Sequence, residues 1–389
     1  MSMHVSNKQS TCGNMPSRGE EIDTTRWRVT PISVEDQRWG TFVESRSEAS
    51  VFQYPAWTRA LMDEYGCESS SLACEDELGN IQGILPLMRT RGIPVKIGPH
   101  VLDRRIASLP RTPFAGPIGA SVEATKRLLA AVVADAEQSK STAQIKTYSN
   151  ECDCMVEGLV GVPWKATYVL RLHGDGNGVL LGRGKNRKKI LWSVERAAKL
   201  GVKVRWSDSE MDLQSWFELY AETMRWHGTL PRNYRFFSSL WRYMHKEGRI
   251  RLLLAEKEVR GRPRLLSGYL YLVYGKTFHC WLNGRRRDSL KFSPNYALHW
   301  HAMNDAYRDG YQVYDFGEVD DDDPGLIAFK AKWGAEPMCT YRYYFPMQTA
   351  RVAKVRPAGK ILEQVGKRLW RKVPISLVLR LADLVYSFL

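Results

Sequence analysis

"SPNYALHWHAMNDAYRDGYQVYDFG", residues 293–317, predicts a helix that leads directly into a strand. Ser293 stands at the N-cap position, Pro294 at the first helical position and Gly310 at the helix end, and each residue type is favoured there. The segment YQVYDFG that follows is typical of a strand. Because helix and strand alternate, this stretch places the chain in the mixed α/β class.

The same alternation extends through the rest of the chain and divides it into two halves. Upstream, NRKKILWSVERAAKLG predicts a helix, VKVRWSD a strand, and residues 250–284 three strands joined by turns. From Trp27, a strand, the helix SVFQYPAWTRALMDEYG, a hairpin around Asp76 and Gly79 and the helix SVEATKRLLAAVVADAEQSK follow in similar order. We therefore expect two related domains, residues 27–165 and 166–337.

Composition and charge limit the kind of protein. The chain has 389 residues, 44% of them hydrophobic, which is typical of a folded globular protein. Its net charge of +15 favours an anionic partner, either nucleic acid, anionic lipid or a phosphate-bearing substrate, although a basic surface can also serve solubility. Residues 1–26 are expected to be a disordered leader without the apolar core of a signal peptide. Since no window holds the roughly 18–20 apolar residues of a membrane span, a cytoplasmic location is expected.

No metal site is predicted. The seven cysteines include no CxxC pair, so free thiols in a reducing compartment are expected. His299 and His301 would point to different faces of one helix, which is wrong for a zinc site. The acidic run at residues 320–323 is interpreted as a solvated loop.

Two basic segments are candidates for contact with anions. Arg183, Lys185, Arg187 and Lys188 lie at the predicted start of a helix, where free backbone amides and cationic side chains favour phosphate. A solvated basic face is the alternative. The tail, residues 349–389, is basic first and strongly apolar after Pro374. It is interpreted either as an amphipathic helix docked on the body or as a helix lying in a lipid interface.

Several segments resemble a known family. VFQYPAWTRAL, GILPL and SLPRTPFAGPIG resemble the first domain of the FemAB-like and BioF2-like (CelD-type) acyltransferases of the GNAT superfamily. NRKKILWSVERAAKLGVKVR, residues 293–317 and FKAKWGAEP resemble the second domain, so the resemblance spans about Trp27 to Phe345. It implies an α/β (α+β) fold of two tandem GNAT-like domains, each a mixed sheet flanked by helices, with a C-terminal amphipathic tail. It also implies that residues 338–348 return as a strand to complete the first domain.

The resemblance implies an enzyme that transfers an acyl or aminoacyl group to an amine of a cell-envelope or polysaccharide precursor. The co-substrate would be acyl-CoA or aminoacyl-tRNA, with no bound cofactor. The partners would be a phosphate-bearing or glycan amine acceptor, tRNA if it is the donor, and the inner membrane if the tail makes peripheral contact. Several relatives belong to exopolysaccharide biosynthesis. The alternative is a non-catalytic basic module that binds nucleic acid or anionic lipid.

The sequence departs from the family pattern at two sites. Gly116 and Pro117 lack the acidic residue that peptidoglycan-modifying members carry shortly afterwards, because Glu123 belongs to the next predicted helix. The glycine-rich pyrophosphate loop of ordinary coenzyme-A-binding GNAT enzymes is not evident either. The first departure argues against peptidoglycan bridge synthesis, and the second argues against a simple acetyl-CoA enzyme.

The resemblance also implies catalytic residues. Family members carry a lysine in an FK-x-x-aromatic-Gly pattern, which here is Phe329, Lys330, Trp333 and Gly334. Lys330 would stabilise the oxyanion of a tetrahedral intermediate or protonate the leaving group, with Lys332 as the alternative in register. A lysine whose stem covers apolar neighbours is the structural alternative. Asp315 ends the YQVYDFG strand and would either contact substrate or cap a turn.

The remaining substrate-binding predictions lie in the second half. His227 would be a general base on the acceptor side, where relatives place such residues. Aromatic rings can stack on sugars or bases, although at strand alternation they also form cores. The predicted contacts are Trp226, His227, Tyr271, Trp281, Asn295, Phe329 and Trp333.

Overall fold

The computed structural model describes residues 26–90, 105–174, 179, 181, 184–347, 349 and 370–386. The predicted leader up to residue 25, most of the basic part of the tail and Arg183 lie outside these described residues. Within the described ranges, no helix is both long and apolar enough to cross a membrane.

The first half combines a small sheet with three helices. Its strands are β1 (Arg28–Pro31), β2 (Leu72–Glu75), β3 (Ile81–Leu85), β4 (Met88–Thr90), β5 (Arg105–Ala107), β6 (Ile118–Gly119) and β7 (Thr142–Thr147). Its helices are α1 (Gln37–Glu44), α2 (Pro55–Tyr65) and α3 (Val122–Gln138). β1, β2, β3 and β6 form a four-stranded sheet, and the antiparallel pair β2–β3 confirms the hairpin predicted around Asp76.

The second half supplies longer strands and most of the helices. Its strands are β8 (Val160–Arg171), β9 (Val202–Ser207), β10 (Ile250–Val259), β11 (Arg262–Tyr274), β12 (Thr277–Arg285), β13 (Val313–Val319) and β14 (Glu336–Phe345). Its helices are α4 (Lys185–Lys199), α5 (Glu210–His227), α6 (Tyr234–Met244), α7 (Pro294–Arg308) and α8 (Pro324–Lys332), followed by α9 (Ile375–Tyr386). Pro294 opens α7 as predicted, although the Ser293 side chain makes no capping hydrogen bond.

A ten-stranded sheet joins the two halves. Its order is β4-β5-β7-β14-β8-β13-β12-β11-β10-β9. β14 is the last strand of the second half, but it pairs antiparallel with β7 of the first half on one edge and with β8 on the other. The mixed α/β architecture is therefore confirmed, and β14 joins the strands of the two halves within the ten-stranded sheet.

Apolar side chains and a buried ion pair help to hold the halves together. Trp57 of α2 contacts Phe236 of α6 at 5.5 Å between ring centroids and Trp281 of β12 at 5.1 Å. Beside these rings the Arg232 guanidinium pairs with Glu64, and both side chains are almost completely buried. The two halves thus share one core, which fixes their relative position.

Strands β12 and β13 run parallel over three residue pairs and then part. His279 faces Asp315 in the last of these pairs, and beyond it β13 stays paired with β8 across a register shift between Asp315 and Glu318. The break falls at Gly317, whose φ of 78° lies in the region that favours glycine. Divergence of two parallel strands opens space at the centre of the sheet, and His279 and Asp315 lie where that space begins.

The end of the chain packs on the second half. Val378 and Ala382 of α9 are buried, and this helix contacts α5. The Arg225 guanidinium donates to the Val373 carbonyl at 3.1 Å, and Arg371 Nε donates to the Trp226 carbonyl at 2.8 Å. Of the two interpretations of the tail, residues 370–386 show the docked helix.

Candidate active site

A cavity of about 1010 Å³ lies between the two halves. Residues 47–53, 116–119 and 147–149 of the first half form one wall. The second half contributes the ends of β8, β12 and β13 and residues 336–338. Gly116 lets the wall pack closely, since a Cβ at this position would lie 2.7 Å from Thr147 Cγ2. Because both halves line this space, it is the natural place for two substrates to meet.

A histidine–aspartate pair lines the cavity where β12 and β13 diverge. His279 Nδ1 lies 2.9 Å from Asp315 Oδ2, and only 4% and 2% of the two residues are exposed. Asp315 Oδ1 accepts from Thr167 Oγ1 at 2.6 Å and from the Gly317 amide at 2.8 Å. The carboxylate is therefore saturated with donors, and its orientation is fixed.

The ionisation of Asp315 decides which nitrogen of His279 carries a proton. Burial opposes the ionised form, but His279, Thr167 and the Gly317 amide together hold the Asp315 pKa below its ordinary value. An ionised carboxylate can only accept, so His279 Nδ1 must donate. Nε2 is then the basic nitrogen, and among the described residues it has no hydrogen-bond partner. This is the arrangement of a general base.

The first half holds the imidazole from the opposite side. The Phe52 ring meets the His279 ring edge-on at 5.4 Å. Phe52 lies in the short 3-10 helix Val51–Gln53, where Ser50 and Gln53 form a capping box. Gln53 Nε2 also donates to the Gly116 carbonyl at 3.0 Å and so ties this turn to the cavity wall. The dyad therefore depends on both halves for its position.

The cavity wall carries charge of both signs. Glu48, Glu151 and Glu336 line it, and so do Arg171 and His173 near the end of β8. Carboxylates suit an ammonium group, whereas a guanidinium suits a carboxylate or phosphate. The wall can thus bind a substrate that carries both an amine and an anionic group.

Lys330 lies behind the dyad and is not among the residues that line the cavity. Its Nζ donates to the carbonyls of Phe316 at 2.7 Å and Gly317 at 2.8 Å, with Glu318 O at 3.4 Å. Burial lowers the Lys330 pKa to about 8, although Cys280, Asp315 and Glu318 oppose this shift. These hydrogen bonds from Lys330 stabilise the irregular part of β13 that follows Asp315. Lys332, the alternative, donates to the Tyr296 hydroxyl at 3.0 Å.

Several of the predicted substrate contacts pack in or against the core. Tyr271 is fully buried beside the Tyr314 hydroxyl at 3.3 Å, and Trp333 stacks on Tyr296 at 5.9 Å. Phe329 packs near His299 at 5.5 Å, and Trp281 belongs to the core shared by the halves. None of Tyr271, Trp281, Phe329 and Trp333 lines the cavity.

The other predicted contacts lie on the outside of the second half. Lys185, Arg187 and Lys188 are exposed at the start of α4. Trp226 and His227 end α5, with the Arg287 guanidinium 4.3 Å above the Trp226 ring. Asn295 accepts from Ser267 Oγ at 3.0 Å. Among the described residues, Asp315 is the predicted site residue that lines the cavity. His279 also lines the cavity but is not predicted from the sequence, where its only signal is a histidine within the apolar strand TFHCWLNG.

No group of three or more potential metal ligands is found within the described ranges. Six cysteines, at positions 67, 74, 152, 154, 280 and 339, are free thiols.

Part of the chain matches a known protein family, and the whole chain resembles solved structures. Residues 184–330 match the family model "Acetyltransferase (GNAT) domain". The crystal structure of FemX superposes with a TM-score of 0.58 at 17% identity, covering 84% of this chain and 99% of that one. No curated protein sequence matches the chain.

Two further solved structures share the fold. The C-terminal domain (DUF2156) of a putative lysylphosphatidylglycerol synthetase from Agrobacterium fabrum has a TM-score of 0.54 at 15% identity, covering 82% of this chain and 93% of that one. L-PGS from Bacillus licheniformis has a TM-score of 0.53 at 10% identity, covering 88% and 98%. Residues 184–330 thus match a GNAT domain, and the chain shares its overall fold with the structures of FemX and of the putative lysylphosphatidylglycerol synthetase domain.

Proposed function

We propose that this protein transfers an acyl or aminoacyl group to the amine of an acceptor bound in the cavity between its halves. The observation that carries the proposal is the buried His279–Asp315 dyad at the divergence of β12 and β13. The GNAT domain match supports a transferase. The dyad supplies what such a transfer requires of the protein, a base beside the attacking amine.

The reaction can be written with all atoms accounted for. The amine nitrogen attacks the acyl carbon, and a C–N bond forms while the bond from the acyl carbon to sulfur or oxygen of the donor breaks. His279 Nε2 takes the proton that the amine loses, and Asp315 stabilises the resulting imidazolium. The imidazolium then returns the proton to the leaving thiolate or alkoxide. Most of the remaining acceleration comes from holding amine and acyl carbon together.

The acceptor class follows from the cavity wall. Glu48, Glu151 and Glu336 favour an amine, and Arg171 favours a phosphate or carboxylate on the same molecule. A phosphate-bearing or glycan amine from cell-envelope or exopolysaccharide synthesis fits this chemistry. One fold relative is named as a putative lysylphosphatidylglycerol synthetase, which is consistent with an envelope acceptor.

The donor would be acyl-CoA or aminoacyl-tRNA, each of which carries phosphates. The exposed Lys185, Arg187 and Lys188 at the start of α4 are our candidates for contact with them. The enzyme would work in the cytoplasm. Leu377 on the outer face of α9 is 47% exposed, which supports a peripheral contact with the inner membrane.

The test is turnover with each donor class. Purified protein is incubated with a panel of acyl-CoAs or charged tRNAs and candidate amines, and amide product is measured by mass spectrometry. We expect His279→Gln to reduce turnover 100-fold or more while donor binding, measured by calorimetry, is retained. His245→Gln, which alters a half-buried histidine paired with Asp208, is the matched control. Normal turnover in His279→Gln would refute the assignment. Salt-sensitive binding without turnover of any donor would favour the non-catalytic basic module.

A further inference from the structure

Three cations gather on one face of the large sheet, away from the cavity. Arg342 of β14 stands directly opposite Lys146 of β7. Arg105 of β5 reaches the same face, because its Nη1 donates to Gln144 Oε1 at 3.2 Å and Gln144 Nε2 donates to the hydroxyl of Tyr344, two residues after Arg342, at 3.1 Å. We call Arg105, Lys146 and Arg342 the Arg342 cluster. None of its members lines the cavity of the His279–Asp315 dyad.

This arrangement is electrostatically unfavourable in isolation. Like charges directly opposite on neighbouring strands repel. Lys146 is 4% exposed, and burial lowers its pKa well below the ordinary value, with Arg342 and Arg105 adding to the shift. Burial likewise lowers the pKa of Arg105 and of Arg342. Loss of a proton from Lys146 would relieve part of the repulsion, but the two arginines stay protonated.

The cluster has no carboxylate partner within ion-pair distance among the residues that the structure describes. Glu318 is the nearest acid that acts on Arg342 and Lys146, and its Oε1 accepts from Thr340 at 3.3 Å. Burial raises the pKa of Glu318, so the environment disfavours its charge. Three cations therefore face one weakly acidic group.

The hydrogen bonds leave outward-facing donors unused. Lys146 Nζ is occupied by the carbonyls of Leu109 at 2.5 Å and Thr112 at 3.3 Å. Arg105 donates one bond, to Gln144 Oε1 at 3.2 Å. The Arg342 guanidinium stacks 3.5 Å above the centre of the Trp164 ring, and the Arg342 Nε is buried without an acceptor. Both arginines are half-buried, and the Arg342 side chain also bonds to Tyr344, so each guanidinium keeps donors without a carboxylate partner among the described residues.

We propose that the Arg342 cluster binds a phosphate-class dianion, held by the terminal nitrogens of Arg342 and Arg105. Guanidinium groups bind phosphate oxygens two at a time, and Trp164 fixes the plane of the Arg342 fork. A dianion would balance the charges of the two guanidinium groups. The ligand is a phosphate monoester or a diphosphate, and this site is separate from the transfer cavity.

Calorimetric titration of the full chain with inorganic phosphate, and then with pyrophosphate at the same ionic strength, tests the proposal. We expect saturable binding of one anion per chain, at least tenfold weaker in Arg342→Gln and in Arg105→Gln. Arg262→Gln removes the same charge from an exposed position at the start of β11 and should change the affinity less than twofold. Stronger binding of pyrophosphate would identify a diphosphate group, and equal binding a single phosphate.

Two outcomes would overturn the proposal. One is the absence of saturable binding for both anions. The other is binding that persists at full strength in Arg105→Gln and Arg342→Gln. If Arg342→Gln does not fold, Arg105→Gln still decides, because Arg105 makes a single side-chain hydrogen bond. The readout is anion affinity, so it does not depend on whether the protein is a transferase.

Discussion

Lys330 Nζ donates to the Gly317 carbonyl at 2.8 Å, and the Gly317 amide donates to Asp315 at 2.8 Å. One peptide segment thus links the lysine predicted as catalytic to the carboxylate of the dyad. This geometry supports a positioning role for Lys330, in which it holds the break in β13 open.

Lys330→Met tests that positioning role. The variant removes the donor from Phe316, Gly317 and Glu318, so buried carbonyls lose their partner. We expect the free energy of unfolding to fall by about 2–4 kcal/mol, since each unsatisfied buried group costs about 1–3 kcal/mol. Urea denaturation measures this, with Lys332→Met as the matched control. If Lys330 contacted the reacting atoms instead, turnover would disappear while stability stayed normal.

Burial of His299 should make the stability of the protein depend on pH. Burial, with a contribution from the charge on Lys330, lowers the His299 pKa to about 3 from 6.5. Between these two pKa values, His299 binds a proton in the unfolded chain but not in the folded chain. Stability is therefore full above pH 6.5 and is lost as pH falls. We expect a loss approaching about 1.4 kcal/mol per pH unit below pH 6. Asp315, whose pKa is depressed, adds to the loss below its unfolded value of 3.8.

Urea denaturation between pH 7.5 and 4.5 measures this slope. His299→Gln should flatten it, although the variant disturbs the bond to the Tyr314 hydroxyl at 2.8 Å and lowers stability at every pH. His245→Gln is the control. An unchanged slope in His299→Gln would show that another group titrates.

Arg232 and Glu64 form a buried ion pair, so removal of one partner should strongly reduce the stability of the protein. Arg232→Met would leave a buried carboxylate without its guanidinium. We expect the free energy of unfolding to fall by about 3–5 kcal/mol. The double variant Arg232→Met/Glu64→Gln should recover part of that loss, because the unpaired charge is gone. Equal stability of the single and double variants would contradict this explanation.

A side chain at position 116 should cause a steric clash at the cavity wall. In Gly116→Ala the new Cβ would lie 2.7 Å from Thr147 Cγ2 and 3.1 Å from the Lys146 carbonyl. We expect a loss of about 1–3 kcal/mol in stability together with weaker acceptor binding. Gly40→Ala is the matched control, since its nearest atoms are 3.8 Å away in α1. Thermal unfolding and calorimetry measure the two quantities, and equal behaviour of both variants would refute the prediction.

Local signals in the sequence predicted local structure well, and long-range pairings poorly. Pro294 and the turn at Asp76 specify their elements through backbone preferences that neighbouring residues carry. His279 and Asp315 are 36 positions apart, and only the parallel pairing of β12 with β13 brings them together. Tyr271 and Trp281 have the composition of a stacking platform, but each strand is covered on both faces, so these rings are core. Lys330 likewise could not be placed, because its acceptors are backbone carbonyls and have no signature in the sequence.

The position of β14 has a consequence for how the protein is made. β7 and β8 both complete their hydrogen bonding on a strand that ends at Phe345. Until synthesis has passed that residue, two long strands carry open edges that invite pairing with other chains. The first half therefore cannot mature while the second is still being translated, even though its residues leave the ribosome first. Completion of the protein is a single late event, in which one strand closes both halves at once.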